Sequence, residues 1–230
     1  MTRPVRRTAT GLLGLALVAA VAVAVAPVGA APTRASSKTL TGTFKLTPGS
    51  YSHGKARGTW FRMIISRDRP KKAYLPNPDS KAADRTYTLG RPGVDGGLAT
   101  GRFQPHPDPP FDGKGNARAN RIIKPSPFTA INFGVATLKQ DPQSKTTVAA
   151  PSARVDGRKL TVLLPGYTAE WNKQFFNQGA PKPDGSGSPA SGTYDAKTRR
   201  FVLTWTSKIA GGPFNGYSGL WHLQGTFSPR

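Results

Sequence analysis

The 230-residue sequence contains no cysteine, and acidic side chains are scarce. Without thiols the chain can form no disulfide, no thiolate metal site and no lipid anchor on a cysteine. Eleven acidic side chains stand against 33 Lys and Arg, which gives a formal net charge of +22 at pH 7. A charge of this size attracts polyanions over a long range, so it favours partners such as teichoic acid, nucleic acid or anionic lipid head groups.

Residues 1–30 have the composition of a secretory signal peptide. Three arginines in the first seven residues precede an apolar run over 12–25, and small residues near position 30 fit cleavage after Ala30 or Ala31. The run is shorter than the ~20 residues of a membrane span. The arginine pair at 6–7 also fits a twin-arginine signal, but the residues that follow favour the general secretory route. The sequence therefore predicts export.

The chain that remains after cleavage is still strongly basic. Removal of residues 1–30 takes three of the 33 basic side chains and none of the 11 acids, which leaves a net charge of +19. We predict a flexible leader over 31–38 and a single domain over 39–230, since a chain of this length buries about 70% of its unfolded surface. We expect a secreted, extracellular or cell-wall-associated protein with no cofactor and no integral membrane anchor.

Alternating apolar residues indicate β-strands through most of the domain. The clearest pattern covers residues 199–227, where Trp205 and Trp221 fall on the apolar faces of two strands joined by a Gly- and Pro-rich turn. His222 falls on the opposite face, which we expect to be exposed to solvent. Asp156 and the glycine that follows it predict a tight hairpin turn.

One short helix is predicted from about Thr168 to Phe176. Tyr167, Trp171 and Phe175 stand four residues apart, so they would share one face of that helix. The predicted fold class is all-β: an antiparallel sandwich or closed barrel with one short helix and long Pro/Gly-rich loops.

Glu170, the sole glutamate of the chain, is the candidate catalytic residue. As a glycosidase acid it would need a second carboxylate, from an aspartate, about 5–9 Å away. The rings of Trp171 and Phe176 could then stack on a sugar. The alternative is a helix that plugs the end of a barrel, and the spacing of its aromatic residues favours this structural role.

A weak alternative metal site lies in the aperiodic, Pro-rich segment over 104–128. His106, Asp108 and Asp112 supply imidazole and carboxylate groups of the kind that bind divalent metals. Lys114, however, occupies a ligand position of the calcium-loop pattern. The favoured interpretation is a solvated loop without a metal.

Two basic clusters are the candidate binding surfaces, with two aromatic rings as further contacts. The candidates are Arg67, Arg69, Lys71 and Lys72, then Lys197, Arg199 and Arg200, and the rings of Trp171 and Phe176. The leading hypothesis is a non-enzymatic domain that binds an anionic polymer: a cell-wall polymer, nucleic acid or another polyanion. The alternatives are a glycan-active enzyme that uses Glu170 with an aspartate partner, and a β-barrel that carries a small apolar ligand.

Three stretches of the sequence resemble secreted all-β proteins of actinobacteria that have no assigned activity. These stretches are Gly58–Arg62, Phe176–Gly185 and Gly211–Phe227. The resemblance covers nearly the whole mature chain. It implies secretion and a single domain, and it implies no site residue.

Overall fold

Sixteen β-strands and one 3₁₀ turn make up the regular structure of residues 37–65 and 73–230, the part of the chain that the computed structural model describes. The strands are β1 Lys38–Thr39, β2 Gly42–Leu46, β3 Ser50–Ser52, β4 Lys55–Arg57, β5 Trp60–Ile64, β6 Thr88–Leu89, β7 Gly97–Ala99, β8 Ser126–Phe128, β9 Ile131–Thr137, β10 Ser152–Asp156, β11 Lys159–Leu163, β12 Tyr167–Trp171, β13 Gln174–Asn177, β14 Ala190–Tyr194, β15 Arg200–Lys208 and β16 Ser218–Pro229, with the 3₁₀ turn at Gly212–Phe214. These residues include no helix long and apolar enough to cross a membrane. The predicted signal peptide lies outside the described residues.

The hairpin of β15 and β16 is the centre of a curled, ten-stranded antiparallel sheet that resembles half a barrel. Trp205 lies directly opposite Trp221, and their rings stack with centroids 5.8 Å apart. Both side chains are buried. On its other edge β16 pairs first with β5 and then with β2. The predicted hairpin and the apolar face of its tryptophans are confirmed.

A four-stranded antiparallel sheet, in the order β13-β12-β9-β8, packs on the large sheet. Tyr167 of β12 is fully buried and meets both Trp205 and Trp221 edge to face, with centroids 5.2 Å apart in each pair. Such contacts join the two sheets through one apolar core. The all-β, antiparallel class predicted from the sequence is confirmed.

The predicted helix from Thr168 to Phe176 is wrong, because this segment forms the β12–β13 hairpin. Asn172 and Lys173 make its two-residue turn with φ angles of 48° and 58°. Positive φ at both central positions defines the type I′ turn, whose twist matches that of the flanking strands. Pairing of β12 with β9 supplies hydrogen bonds that a helix would make internally. This long-range pairing outweighs the helical spacing of the aromatic residues.

The Pro-rich segment over 104–125 covers the outer face of the small sheet. Gln104 is fully buried and accepts a backbone hydrogen bond from Thr137 N at 3.0 Å. Further along, the segment lies against Gly134 of β9, where a Cβ atom would stand only 2.7 Å from the carbonyl oxygen of Ala119. The small sheet is therefore enclosed on both faces, by the core on one side and by this segment on the other.

The outer face of the β15–β16 hairpin is only partly exposed. His222 is half-buried, stacks in parallel on Trp60 of β5 with centroids 4.7 Å apart, and donates through Nδ1 to the carbonyl oxygen of Gly58 at 2.8 Å. The expectation that His222 lies on a solvated face is therefore corrected, because β5 pairs beside it and places a ring over it.

Candidate functional site

Glu170 and His106, which are separate candidates in the sequence, form one hydrogen-bonded pair. His106 Nδ1 lies 2.6 Å from Glu170 Oε1. Glu170, the penultimate residue of β12, projects on the face that turns away from the core, and its side chain is fully buried. His106 comes from the covering segment, and 24% of its side chain is exposed. The pair therefore connects a buried carboxyl group to the surface.

Each member of the pair shifts the pKa of the other. Burial raises the pKa of the Glu170 carboxyl, and the contact with His106 offsets only part of this effect. The hydrogen bond to Glu170 raises the pKa of His106, against the opposing effect of burial. At a separation of 2.6 Å the two atoms form one short, charge-assisted hydrogen bond. The other carboxyl oxygen, Glu170 Oε2, is buried without a hydrogen-bond partner among the described residues.

The exposed edge of His106 borders an open cleft of about 450 Å³. Its lining residues are Pro105, His106, Pro107, Arg118, Asn120 and Arg121. Asp95 fixes Arg121 through two contacts, Nε to Oδ2 at 3.0 Å and Nη2 to Oδ1 at 3.3 Å. Burial favours the neutral form of Asp95, but hydrogen bonds from Arg121 and Gln104 hold the pKa of Asp95 below its usual value. The cleft therefore combines an imidazole with an arginine of fixed orientation.

Trp171 and Phe176 do not flank the carboxyl group of Glu170. Trp171 Nε1 donates to the carbonyl oxygen of Phe128 at 2.8 Å, and its ring packs against Phe214. Phe176 is buried. Neighbouring residues of a strand point to opposite faces, so Glu170 and Trp171 cannot line one sugar-binding cleft. The partner of the Glu170 carboxyl is a histidine and not an aspartate.

The apolar space between the sheets is small. A cleft bordered by Met63, Ile209 and several aromatic rings holds about 40 Å³. Pockets for small molecules usually measure about 300–1,000 Å³. The cleft therefore gives no support to the hypothesis of an apolar-ligand carrier.

The structure does not assemble the three candidate metal ligands. Asp112 accepts hydrogen bonds from Lys114 N and Asn116 N, and its pKa is lowered by its bonds to Asn116. Asp108 is exposed, and His106 is engaged by Glu170 as described above. Within 37–65 and 73–230, no group of three or more His, Asp or Glu side chains is arranged to hold a metal ion.

Five exposed basic residues gather on two neighbouring hairpin turns of the large sheet. We call them the basic tip cluster: Arg158, Lys159, Lys197, Arg199 and Arg200. The β10–β11 turn meets the end of β14 where Tyr194 N donates to the carbonyl oxygen of Arg158 at 2.9 Å. Three members of the cluster were predicted binding residues. The other predicted cluster, Arg67, Arg69, Lys71 and Lys72, lies outside the described residues.

Few of the basic side chains are neutralised within the protein. Among the described residues, ion pairs between Lys or Arg and a carboxylate involve only Arg62, Arg102 and Arg121. The scarce acids are used elsewhere: Asp141 and Asp195, for example, accept hydrogen bonds from backbone N–H groups of their own turns. No member of the basic tip cluster is paired with a carboxylate in this part of the chain.

A broad groove of about 1020 Å³ lies on the outer face of the large sheet. Thr204 and Thr206 of β15 form part of its floor, and Lys182 and Lys208 border it. Alternate residues of β15 share this face, beginning with Arg200 in the basic tip cluster and ending with Lys208. At a rise of about 3.3 Å per residue, these two cations lie roughly 26 Å apart. The face is long enough for several units of a polymer.

Three residues at or beside the His106 cleft are not predicted from the sequence, namely Asp95, Arg118 and Arg121. Asp95 and Arg121 are 26 residues apart in segments without periodicity. The available signal was an acid in a Gly-rich turn and an excess of arginine in the Pro-rich segment.

No protein family, curated protein or solved structure matches this chain.

Proposed function

We propose that this protein is a secreted, non-enzymatic domain that binds an anionic polymer outside the cell or in the cell wall. The contact surface is the basic tip cluster together with the adjoining outer face of β15. The observation that carries the proposal is the lack of internal pairing: among the described residues only three arginines form ion pairs with carboxylates. The basic tip cluster is exposed and has no carboxylate partner among the described residues, so its cations are available to an external polyanion.

The arrangement suits a chain of charged units better than a compact small molecule. Arginine and lysine neutralise successive phosphates and release counterions, which supplies most of the affinity for a polyanion. Threonine hydroxyls, such as those of Thr204 and Thr206, donate to phosphate oxygens without selecting a sequence. Arg200 and Lys208 place positive charge at both ends of this row of hydroxyls.

The test compares two triple variants with the same change in charge. One variant carries Lys197→Gln, Arg199→Gln and Arg200→Gln. The control carries Lys114→Gln, Lys139→Gln and Lys145→Gln, which are exposed positions outside the basic tip cluster. Binding to duplex DNA, used as a model polyanion, and to purified wall polymer is measured by anisotropy between about 50 and 200 mM NaCl.

We expect affinity to fall steeply with salt, and the cluster variant to lower the logarithmic salt slope by about 3, one unit for each lost phosphate contact. The control should change the slope much less. Binding that does not weaken with salt would contradict the proposed function. Equal losses in the two variants would contradict the assigned surface.

A further inference from the structure

The His106 cleft is separate from the basic tip cluster and is built differently. The cluster consists of exposed side chains on turns of the large sheet, whereas the cleft lies over the small sheet and its imidazole rests on a buried carboxyl group. A flexible surface cation adapts to many ligands. Groups held in fixed positions instead select one ligand geometry.

His106 has one ring nitrogen occupied and one nitrogen left for a ligand. Nδ1 is bound to Glu170 Oε1, and Phe175 lies against the ring with centroids 5.6 Å apart. These two contacts fix the position of the imidazole. When Nδ1 donates to a carboxylate, the protonated ring presents Nε2–H as a charged donor. No protein acceptor for Nε2 occurs among the described residues.

The two arginines of the cleft supply further charged donors. Asp95 engages Nε and Nη2 of Arg121, so the guanidinium plane is fixed while Nη1 keeps its donors. Arg118 forms no ion pair in the described residues, and its Nη1 reaches the carbonyl oxygen of Pro109 only at 3.5 Å. Asn120 adds an amide to the same lining. An oxyanion with several acceptors matches this set of donors.

The charges around the cleft leave it positive when His106 is protonated. The cationic groups are His106, Arg118 and Arg121, with Arg102 beside Asp95. The acids are Glu170, Asp95 and Asp108, of which Glu170 and Asp95 are already engaged by His106 and by the arginines. The excess is one positive charge, which fits one phosphate group and not an extended run of them.

We propose that the His106 cleft binds a single phosphate group, held by His106 Nε2–H, Arg118 and Arg121. The inference deepens the proposed function and rests on it for the identity of the polymer, since a phosphate in the cleft would come from a polyanion bound to the same molecule. The site itself does not require the polymer, so inorganic phosphate is a sufficient probe.

The chain contains three histidines, which provide internal controls for an NMR titration. His53 is exposed in the turn between β3 and β4, and His222 is covered by Trp60 on the large sheet. Purified protein is titrated with inorganic phosphate at pH 6 while NaCl keeps the ionic strength constant. We expect the ring signals of His106 to shift with saturation, and those of His53 and His222 to stay in place.

Two variants separate this site from general charge attraction. Arg118→Gln removes an exposed side chain of the cleft and should weaken phosphate binding at His106 roughly tenfold, the effect of one charged hydrogen bond. Lys159→Gln removes the same charge from the basic tip cluster and should leave phosphate binding unchanged. In the reverse experiment, Arg118→Gln should lower the salt slope for DNA by at most about 1, the share of one phosphate contact, against about 3 for the triple variant of the basic tip cluster, so that failure of one proposal is distinguishable from failure of the other.

Two further probes identify the source of the phosphate. Methyl phosphate represents the end of a chain, and dimethyl phosphate represents a backbone diester. A saturable shift of His106 with either probe supports the site, and the tighter of the two identifies the source. The inference is overturned if His106 does not respond to any of the phosphates, if all three histidines shift in parallel, or if Arg118→Gln binds phosphate as tightly as the parent protein.

Discussion

The β15–β16 and β12–β13 hairpins have the same antiparallel backbone, but their side chains enter different environments. β15–β16 turns Trp205 and Trp221 into the core between the two sheets. β12–β13 turns Tyr167 into that same core and Glu170 into the second interface, beneath the Pro-rich segment. The first hairpin therefore stabilises the fold, and the second also places an ionisable group below the surface.

The difference shows which interface of the fold contains buried polar and ionisable side chains. A sheet covered by apolar residues on one face and by an irregular segment on the other has two interiors of different polarity. The irregular segment cannot satisfy its hydrogen bonds by a regular ladder, so polar side chains are needed there. The pairs Glu170–His106 and Gln104–Thr137 belong to this second interior.

The largest expected effect comes from the core hairpin. Trp221→Ala or Trp205→Ala should lower the free energy of unfolding by about 3–5 kcal/mol, because each leaves a large cavity and removes ring contacts. Leu163→Ala, at an exposed position of β11, serves as the control and should stay within about 0.5 kcal/mol. Urea denaturation gives all three values. A Trp221→Ala variant as stable as the control would show that the paired tryptophans do not hold the two sheets together.

The two partly buried histidines should give pH dependences of opposite sign. The pKa of His106 is raised, so its stabilisation is present below about pH 6.5 and is lost as pH rises through its folded pKa. The raised pKa of Glu170 acts in the same direction. Burial lowers the pKa of His222, so its stabilisation is present above about pH 6.5 and is lost as pH falls through its folded pKa.

Unfolding of His106→Asn and His222→Asn at pH 5, 7 and 9 measures this contrast. The loss of stability in His106→Asn should shrink towards high pH, and that in His222→Asn should shrink towards low pH. Leu163→Ala again serves as a control without a titrating group. If the stability loss changed with pH in the same direction in both variants, the opposite pKa shifts assigned to His106 and His222 would be contradicted.

The smallest expected effect distinguishes the observed hairpin from the helix that the sequence predicts. Lys173 has a φ of 58°, which glycine adopts without strain. Lys173→Gly should therefore stabilise the protein by about 0.5–1 kcal/mol if the turn is type I′. In a helix the same change would cost about 1 kcal/mol. Lys173→Gln removes the charge alone, and thermal melts of both variants test the sign.

Alternation of side chains predicts several strands of the large sheet, including its central hairpin. The β15–β16 hairpin and the turn after Asp156 follow from local patterns that agree with the final pairing. The four-residue spacing of Tyr167, Trp171 and Phe175 instead predicts a helix. This helix does not form, because the backbone of β12 pairs with β9. Asn172, which tolerates positive φ, was the local sign of a turn.

The candidate site could not be assembled from the sequence. His106 and Glu170 are 64 residues apart and belong to elements with no common period. Trp171 and Phe176 were predicted to lie beside Glu170 on the basis of a helix. Because the segment is a β-hairpin, their side chains lie on the opposite face of the sheet from Glu170. Lys197, Arg199 and Arg200 could be recognised as exposed because charged residues next to a turn seldom become buried.

The position of β16 has a consequence for how the chain folds. Its partners β2 and β5 lie far back in the sequence: Gly225 pairs with Leu46, about 180 residues earlier. The sheet therefore cannot close until this whole stretch has been synthesised and released into one compartment. Sheets with such distant partners fold slowly, in milliseconds to seconds. For a protein exported as proposed, that delay prolongs the extended state in which a chain can still be threaded through a membrane.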